Sequence, residues 1–302
     1  MKKETRHLVR RMIQAIGGRL PLSQRVDRLE RKVEAAAKGT QIALLLEYRE
    51  LMERGRPLPR FEDIEFRVSS QNGEDGILLL IFAILGTTNK RAVEICAGDG
   101  IVCNTANLIV NHGWSGLLFD GNEECVTRGR EFYSNCRDTS LWPPRFVHAW
   151  ITAENVDSLI TGNGFEGVVD LLSLDMDGID YWIWRAVTSI RPRVVVLEYN
   201  NLWGPDPAVT VPYRPDFVAD RDEYGASYCG ASLSAFVKLG KEKGYRLVGC
   251  EKYNFNAFFV RSGIGEGVLP EVPVSACFGH PFAQFAIARR LPGVLGREWV
   301  AV

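Results

Sequence analysis

Residues Arg91–Leu108 read RAVEICAGDGIVCNTANL. A β-branched apolar run ends in an acid, Glu94, turns through Ala97-Gly98-Asp99-Gly100 and enters a helical pattern. Strand, glycine turn and helix in that order open a doubly wound α/β sheet, whose ligands bind beyond the carboxyl ends of the strands. A dinucleotide fold wants G-x-G-x-x-G here, so that backbone amides can approach a pyrophosphate. Glu94-Ile-Cys-Ala-Gly98-Asp99-Gly100 does not supply that spacing. A carboxylate at Glu94 is also a poor neighbour for phosphate, whereas it suits an ammonium or sulfonium group. Phosphate is disfavoured at this turn.

The neighbouring sequence carries the same texture. Short apolar runs are expected as strands at Ala92–Cys96, Gly116–Asp120, Arg145–Ile151, Val168–Leu174, Val194–Glu198, Tyr245–Cys250 and Phe255–Val260. Helical patterns lie between them at Thr105–His112, Glu123–Asn135, Ala153–Ile160, Ile179–Ser189 and Ser232–Lys243. Alternation of this kind predicts a Rossmann-like, mostly parallel seven-stranded sheet covered on both faces. The last two strands are joined only by Glu251–Asn254. A parallel crossover needs far more chain, so the last strand is expected to be antiparallel.

Composition sets the outer limits. The chain has 302 residues, 46% hydrophobic and 24% charged, with a formal net charge of −1. That is the profile of an ordinary soluble protein, without a chain-wide basic field for nucleic acid, so no nucleic-acid partner is expected. Seven cysteines, an odd number without CxxC spacing, read as reduced thiols in a cytoplasmic protein. No apolar run reaches the length of a membrane span. Charge is uneven, however: residues 1–35 hold ten Lys or Arg and four Asp or Glu, hence 10 − 4 = +6. Leu8, Val9, Met12, Ile13 and Ile16 share a helical face beside arginines. Such a segment is either a docking helix or a peripheral contact with an anionic membrane.

Three parts are expected along the chain. Residues 1–65 form an N-terminal helical arm for docking or homo-oligomerisation, with a long helix from the Ser23 cap to Gly55. Residues 66–262 form the α/β domain, with a lid-like insertion at 200–233. Residues 263–302 are a C-terminal extension packed on it. The insertion is rich in Pro, Gly and aromatics, and loops of that length in compact domains are usually functional or disordered. Its Trp203, Tyr213, Tyr224 and Tyr228 can either face an acceptor or anchor the loop.

Carboxylates mark the chemistry. Asp120 ends the second strand, twenty-six residues after Glu94, where an acid can accept hydrogen bonds from a ribose diol. Glu94, the short glycine turn and Asp120 together favour S-adenosylmethionine over NAD. In LLSLDMDGIDYWIW (Leu171–Trp184), Asp175, Asp177 and Asp180 follow an apolar strand, and Asp180 suits a helix N-terminus. Glu198 ends the next strand, in VVVLEYN (Val194–Asn200). Adjacent strands lie about 5 Å apart, so Asp175, Asp177 and Glu198 can converge. They can act as a general base on a hydroxyl, or they can hold Mg²⁺.

The chain resembles the class I S-adenosylmethionine-dependent methyltransferases and, within them, the FkbM-like group, many of whose members O-methylate sugars and natural products. The resemblance runs over roughly residues 66–260. It rests on SSQNGEDGILLLIF (Ser69–Phe82), VEICAGDGIVCNTANL (Val93–Leu108), GLLFDGN (Gly116–Asn122) and the two acid-ended strands just described. It implies cofactor contacts from Glu94, Gly98, Gly100, Asp120 and Asn122. It implies others from Asn104 and Thr105, where amides and side chains face the methionine carboxylate, and from Gln71, Glu74 and Asp75. Cys96 and Cys103 depart from the group's usual glycine and serine, and His148-Ala149-Trp150 offers no acid for adenine. The implied function is O-methylation of a sugar, glycolipid or other hydroxylated small molecule or glycan. The alternative is a catalytically silent scaffold subunit of the same fold.

Overall fold

The structure is a computed structural model that describes residues 22–221 and 227–302. The apolar helical face at Leu8–Ile16 and Tyr224 therefore lie outside the described residues. The chain falls into two compact units, one ending at Glu47 and the other running from Tyr48 to Val302. A helix, α1 (Leu22–Glu53), follows the expected span. Its seam residues Leu29, Val33 and Leu46 are exposed. Among the described residues no helix is long and apolar enough to cross a membrane.

The second unit is built on seven strands: β1 (Arg91–Ile95), β2 (Ser115–Asp120), β3 (Arg145–His148), β4 (Gly167–Leu174), β5 (Ile190–Glu198), β9 (Tyr245–Cys250) and β10 (Asn256–Arg261). Short strands β6 (Val209–Thr210), β7 (Asp220–Arg221) and β8 (Ser227–Tyr228) lie between β5 and β9, and β11 (Val300–Ala301) ends the chain. Spatial order is β3-β2-β1-β4-β5-β10-β9. β1 to β5 pair in parallel, while β10 is antiparallel to both β5 and β9, as the short Glu251–Asn254 connection requires. The chain winds outward from β1 through β2 to β3, then restarts at β4 on the other side. The order reverses between β1 and β4, which is where such folds place ligands.

Both faces of the sheet are buried. Val93, Ile95, Leu172, Leu174, Val195 and Leu197 point into a core shared with Trp184, Phe236 and Phe259. Their alternate neighbours Ala92, Leu171, Val194 and Val196 are buried too, which is why these strands read as continuous apolar runs. On the inner edge Asp170 is fully buried and accepts the backbone N–H groups of Thr88, Asn89 and Lys90 at 2.7–2.9 Å. The Arg193 guanidinium donates to it at 3.0 Å and also to the carbonyls of Leu85 and Gly86. This pair ties the loop before β1 to β4, β5 and the end of α3 (Glu74–Leu85), the helix after α2 (Phe61–Ile64).

The insertion at 200–233 is anchored to its surroundings. Val300–Ala301 of β11 pairs with β6. Trp203 and Trp299 meet edge-on at 4.9 Å, and Tyr228 meets Trp299 at 5.2 Å. The Tyr228 hydroxyl donates to the Glu298 carbonyl, and the Tyr213 hydroxyl donates to Glu154. Trp203, Tyr213 and Tyr228 thus hold the insertion in place. All seven cysteines are free thiols.

Candidate active site

A cavity of about 290 Å³ opens at the carboxyl ends of β1, β2 and β4. Its walls include Gln71 from the loop before α3, Glu74 from its start, Glu94 from β1, Cys96 just after it, Gly98, Asn104, Asp120, Asp175 and Asp177. Asn256, at the start of β10, closes it. Five of these side chains are carboxylic acids, and among the described residues no Lys, Arg or His lines the cavity. A second cavity of about 260 Å³ adjoins it at Asp177 and reaches Glu198, Asn200 and Arg290.

Glu94 is buried and occupied by the protein itself. One oxygen accepts the Asn104 N–H at 2.9 Å and the Ser173 hydroxyl at 3.1 Å. The other accepts the Thr105 N–H at 2.9 Å and the Thr105 hydroxyl. This corrects one expectation. The amides of Asn104 and Thr105 do not face a ligand carboxylate, because Glu94 already uses them to anchor the start of α4 (Ala106–His112). Asn104 still lines the cavity, and its side-chain amide donates to Ser173 Oγ at 3.1 Å.

Other predicted contacts divide in the same way. Asp120 lines the cavity, and its oxygens accept the N–H groups of Gly98 and Asn122 at 2.8 Å each. A carboxylate oxygen has more than one acceptor site, so Asp120 can still take two ligand hydroxyls. Gly98 lines the cavity with φ +61°. Gly100, Asn122, Thr105 and Asp75 are not among the lining residues. Gly100 (φ +68°) packs under Phe146, Leu118 and Tyr133. Asn122 caps α5 (Glu123–Asn135) by accepting the N–H groups of Glu124 and Cys125. Asp75 is buried and accepts the amides of Val68, Ser69 and Ser70 at 2.7–2.9 Å, which closes the loop before α3. Burial nevertheless raises its pKa.

Two non-glycine residues in the wall adopt left-handed backbone conformations: Cys96 with φ +63° and Asp177 with φ +49°. Such geometry clusters at functional sites. Burial and the neighbouring Asp180, Asp120, Asp175 and Asp177 keep the Cys96 thiol protonated. Asp180 braces the second strained turn from α7 (Asp180–Ala186): its oxygens accept the N–H groups of Met176 at 2.9 Å and Gly178 at 3.0 Å. Burial pushes its pKa up to about 6.

Asp175 and Glu198, at the ends of the adjacent parallel strands β4 and β5, lie close enough for their carboxyls to share a proton. Both carboxyls are pushed upward, first by burial and then, among other causes, by nearby acids including Asp177 and Asp180. Two carboxyls can bond directly only if one carries a proton. Among the described residues no group of three His, Cys, Asp or Glu is arranged to hold a metal ion. Asp175, Asp177 and Glu198 fall within that statement.

Asn256 and Arg290 carry no motif in the sequence. Asn256 is the register partner of Glu198 across β5 and β10, and its side-chain amide donates to Glu74 at 2.8 Å. Only knowledge of that strand pairing finds it. Arg290 arrives from the C-terminal extension, ninety-two residues beyond Glu198, and no local pattern marks it.

No family model matches the chain, and no curated protein matches it significantly. Among solved structures it is similar to the CcbJ methyltransferase of Streptomyces caelestis: 13% identity, 68% of this chain and 97% of that one, TM-score 0.43. A glycopeptide N-methyltransferase, MtfA, solved with sinefungin, shows 10% identity over 61% of this chain and 84% of its own, TM-score 0.40. An S-adenosylmethionine-dependent methyltransferase of Aquifex aeolicus shows 12% identity over 59% and 86%, TM-score 0.36. Likeness at this level carries no inference about activity.

Proposed function

We propose that the chain is an S-adenosylmethionine-dependent O-methyltransferase acting on a hydroxyl of a sugar, glycolipid or other hydroxylated metabolite. The observation that carries this reading is the charge of the cavity at the β1/β4 reversal. Glu74, Glu94, Asp120, Asp175 and Asp177 line it, and among the described residues no cation does. A pyrophosphate there would meet only like charge, whereas a sulfonium and an ammonium would meet opposite charge. When bound, S-adenosylmethionine supplies a methyl group activated for displacement by the positive sulfur.

The chain's own residues then divide the work. Asp120 accepts from the ribose hydroxyls with the acceptor sites left after Gly98 and Asn122. The Gln71 side-chain amide is a neutral donor for the methionine carboxylate. Asp175 and Glu198 share one proton; the remaining negative charge accepts the proton of the attacking hydroxyl as its oxygen bonds to the methyl carbon. The carbon–sulfur bond breaks and its electron pair stays on sulfur. The buried walls exclude water and align the two reactants.

Calorimetric titration of the full chain with S-adenosylmethionine and, separately, NAD tests the reading. S-adenosylmethionine is expected to bind, and Asp120→Ala to weaken it at least tenfold. Binding of NAD alone, or of neither compound, refutes the proposal.

A further inference from the structure

Among the described residues, the 260 Å³ cavity beside Asp177 and Glu198 contains one charge of the opposite sign, Arg290. Arg290 ends α9 (Pro281–Arg290), the helix that follows α8 (Leu233–Glu242) in the chain, and is partly buried. Its guanidinium lies 5.5 Å from the Phe282 ring centroid and 6.0 Å from that of Phe285. Stacking of this kind orients the planar group while leaving its N–H fork available. Asp177 and Glu198 line the same cavity, yet among the described residues Arg290 forms no ion pair with any carboxylate. Taken together, and among the described residues, the two adjoining cavities run from five acids at one end to the Arg290 guanidinium, without a carboxylate partner, at the other.

We propose that this second cavity is the acceptor site and that Arg290 binds a carboxylate of the acceptor. The inference rests on the methyltransferase reading and narrows its substrate to a hydroxylated carboxylic acid. A planar guanidinium fork matches a carboxylate in two parallel hydrogen bonds. The cavity volume falls below the roughly 300–1,000 Å³ of pockets for larger ligands, so an acid of about one ring fits it. With the carboxylate at Arg290, a hydroxyl on the far side of the ring faces Glu198 and the shared proton. Bond making and breaking are those given above: oxygen gains the methyl carbon, sulfur keeps the electron pair, and the proton passes to the carboxyl pair.

The test uses the full chain with S-adenosylmethionine and matched acceptors: glucuronic acid against glucose, and 3,4-dihydroxybenzoic acid against catechol. Binding of S-adenosylmethionine is measured first, so that failure of the methyltransferase reading registers separately from failure of this one. Release of S-adenosylhomocysteine and equilibrium binding of each acceptor are then followed. At least one acid is expected to exceed its neutral counterpart tenfold or more in kcat/KM or affinity. Arg290→Gln should abolish that preference while S-adenosylmethionine affinity stays within twofold. Arg290→Lys should retain part of it, and Arg289→Gln, one residue away and exposed, should retain all of it. Equal use of acids and neutral partners, preference for neither, or a preference that survives Arg290→Gln overturns the proposal.

Discussion

Asp175 and Glu198 stand at the ends of adjacent parallel strands, close enough for their carboxyls to share a proton. Burial raises both groups above their ordinary carboxyl range, so the pair keeps its proton toward neutral pH. The pair can accept a proton only once the first of its two protons has left and one negative charge remains. kcat/KM for methyl transfer is therefore expected to rise with pH through the neutral region. Glu198→Gln should lower kcat about 100-fold or more, within the usual range for a general base, and flatten the rise. A profile unchanged by the substitution would remove the pair from proton transfer.

Glu94 offers a contrasting case, because its partners are all internal. Glu94→Gln replaces one acceptor oxygen by a donor and strands a buried N–H or hydroxyl of Thr105 or Asn104. Leaving such a group unsatisfied costs about 2 kcal/mol. Urea unfolding should show that loss in the ligand-free protein. Unaltered stability combined with lost S-adenosylmethionine affinity would instead identify Glu94 as a direct ligand contact.

Cys96 adopts φ +63° without being glycine. An L-residue in that region is disfavoured by roughly 1–2 kcal/mol. Cys96→Gly is accordingly expected to raise stability by about 1 kcal/mol, whereas Cys96→Val, β-branched, should lower it by about 2 kcal/mol. Thermal melts of the two variants check the ordering, and a stabilising valine would disprove the strain.

Asp170 is buried against three backbone amides and Arg193, which hold its pKa down despite the opposing effect of burial. A carboxyl with a depressed native pKa stabilises the fold above its unfolded pKa and loses that contribution as pH falls through the native value. Asp170→Asn should destabilise the protein by about 3 kcal/mol at neutral pH, since it leaves Arg193 without its charge partner. The gap between wild type and variant should close on acidification below about pH 4. Chemical denaturation at pH 7 and pH 3 measures both, and a gap that widens in acid would contradict the sign.

Much of the architecture was legible before any coordinates. Continuous apolar runs alternating with amphipathic helices specify a parallel sheet buried on both faces, and four residues between the last two strands are too few for a crossover. Asp120 and Glu198 could likewise be located, because an acid that ends an apolar run stands at the open edge of the sheet. What each acid does there was not legible. Glu94 has the same local signature as Asp120, yet Ser173, a strand neighbour seventy-nine residues away, and the amides of Asn104 and Thr105 occupy it. Periodicity along a chain reports which face a residue takes, not which residue lies opposite. The shared proton of Asp175 and Glu198, the placement of Asn256 beside Glu198, and the arrival of Arg290 in the second cavity all depend on strand register and on where a distant segment folds back. Only tertiary structure decides those.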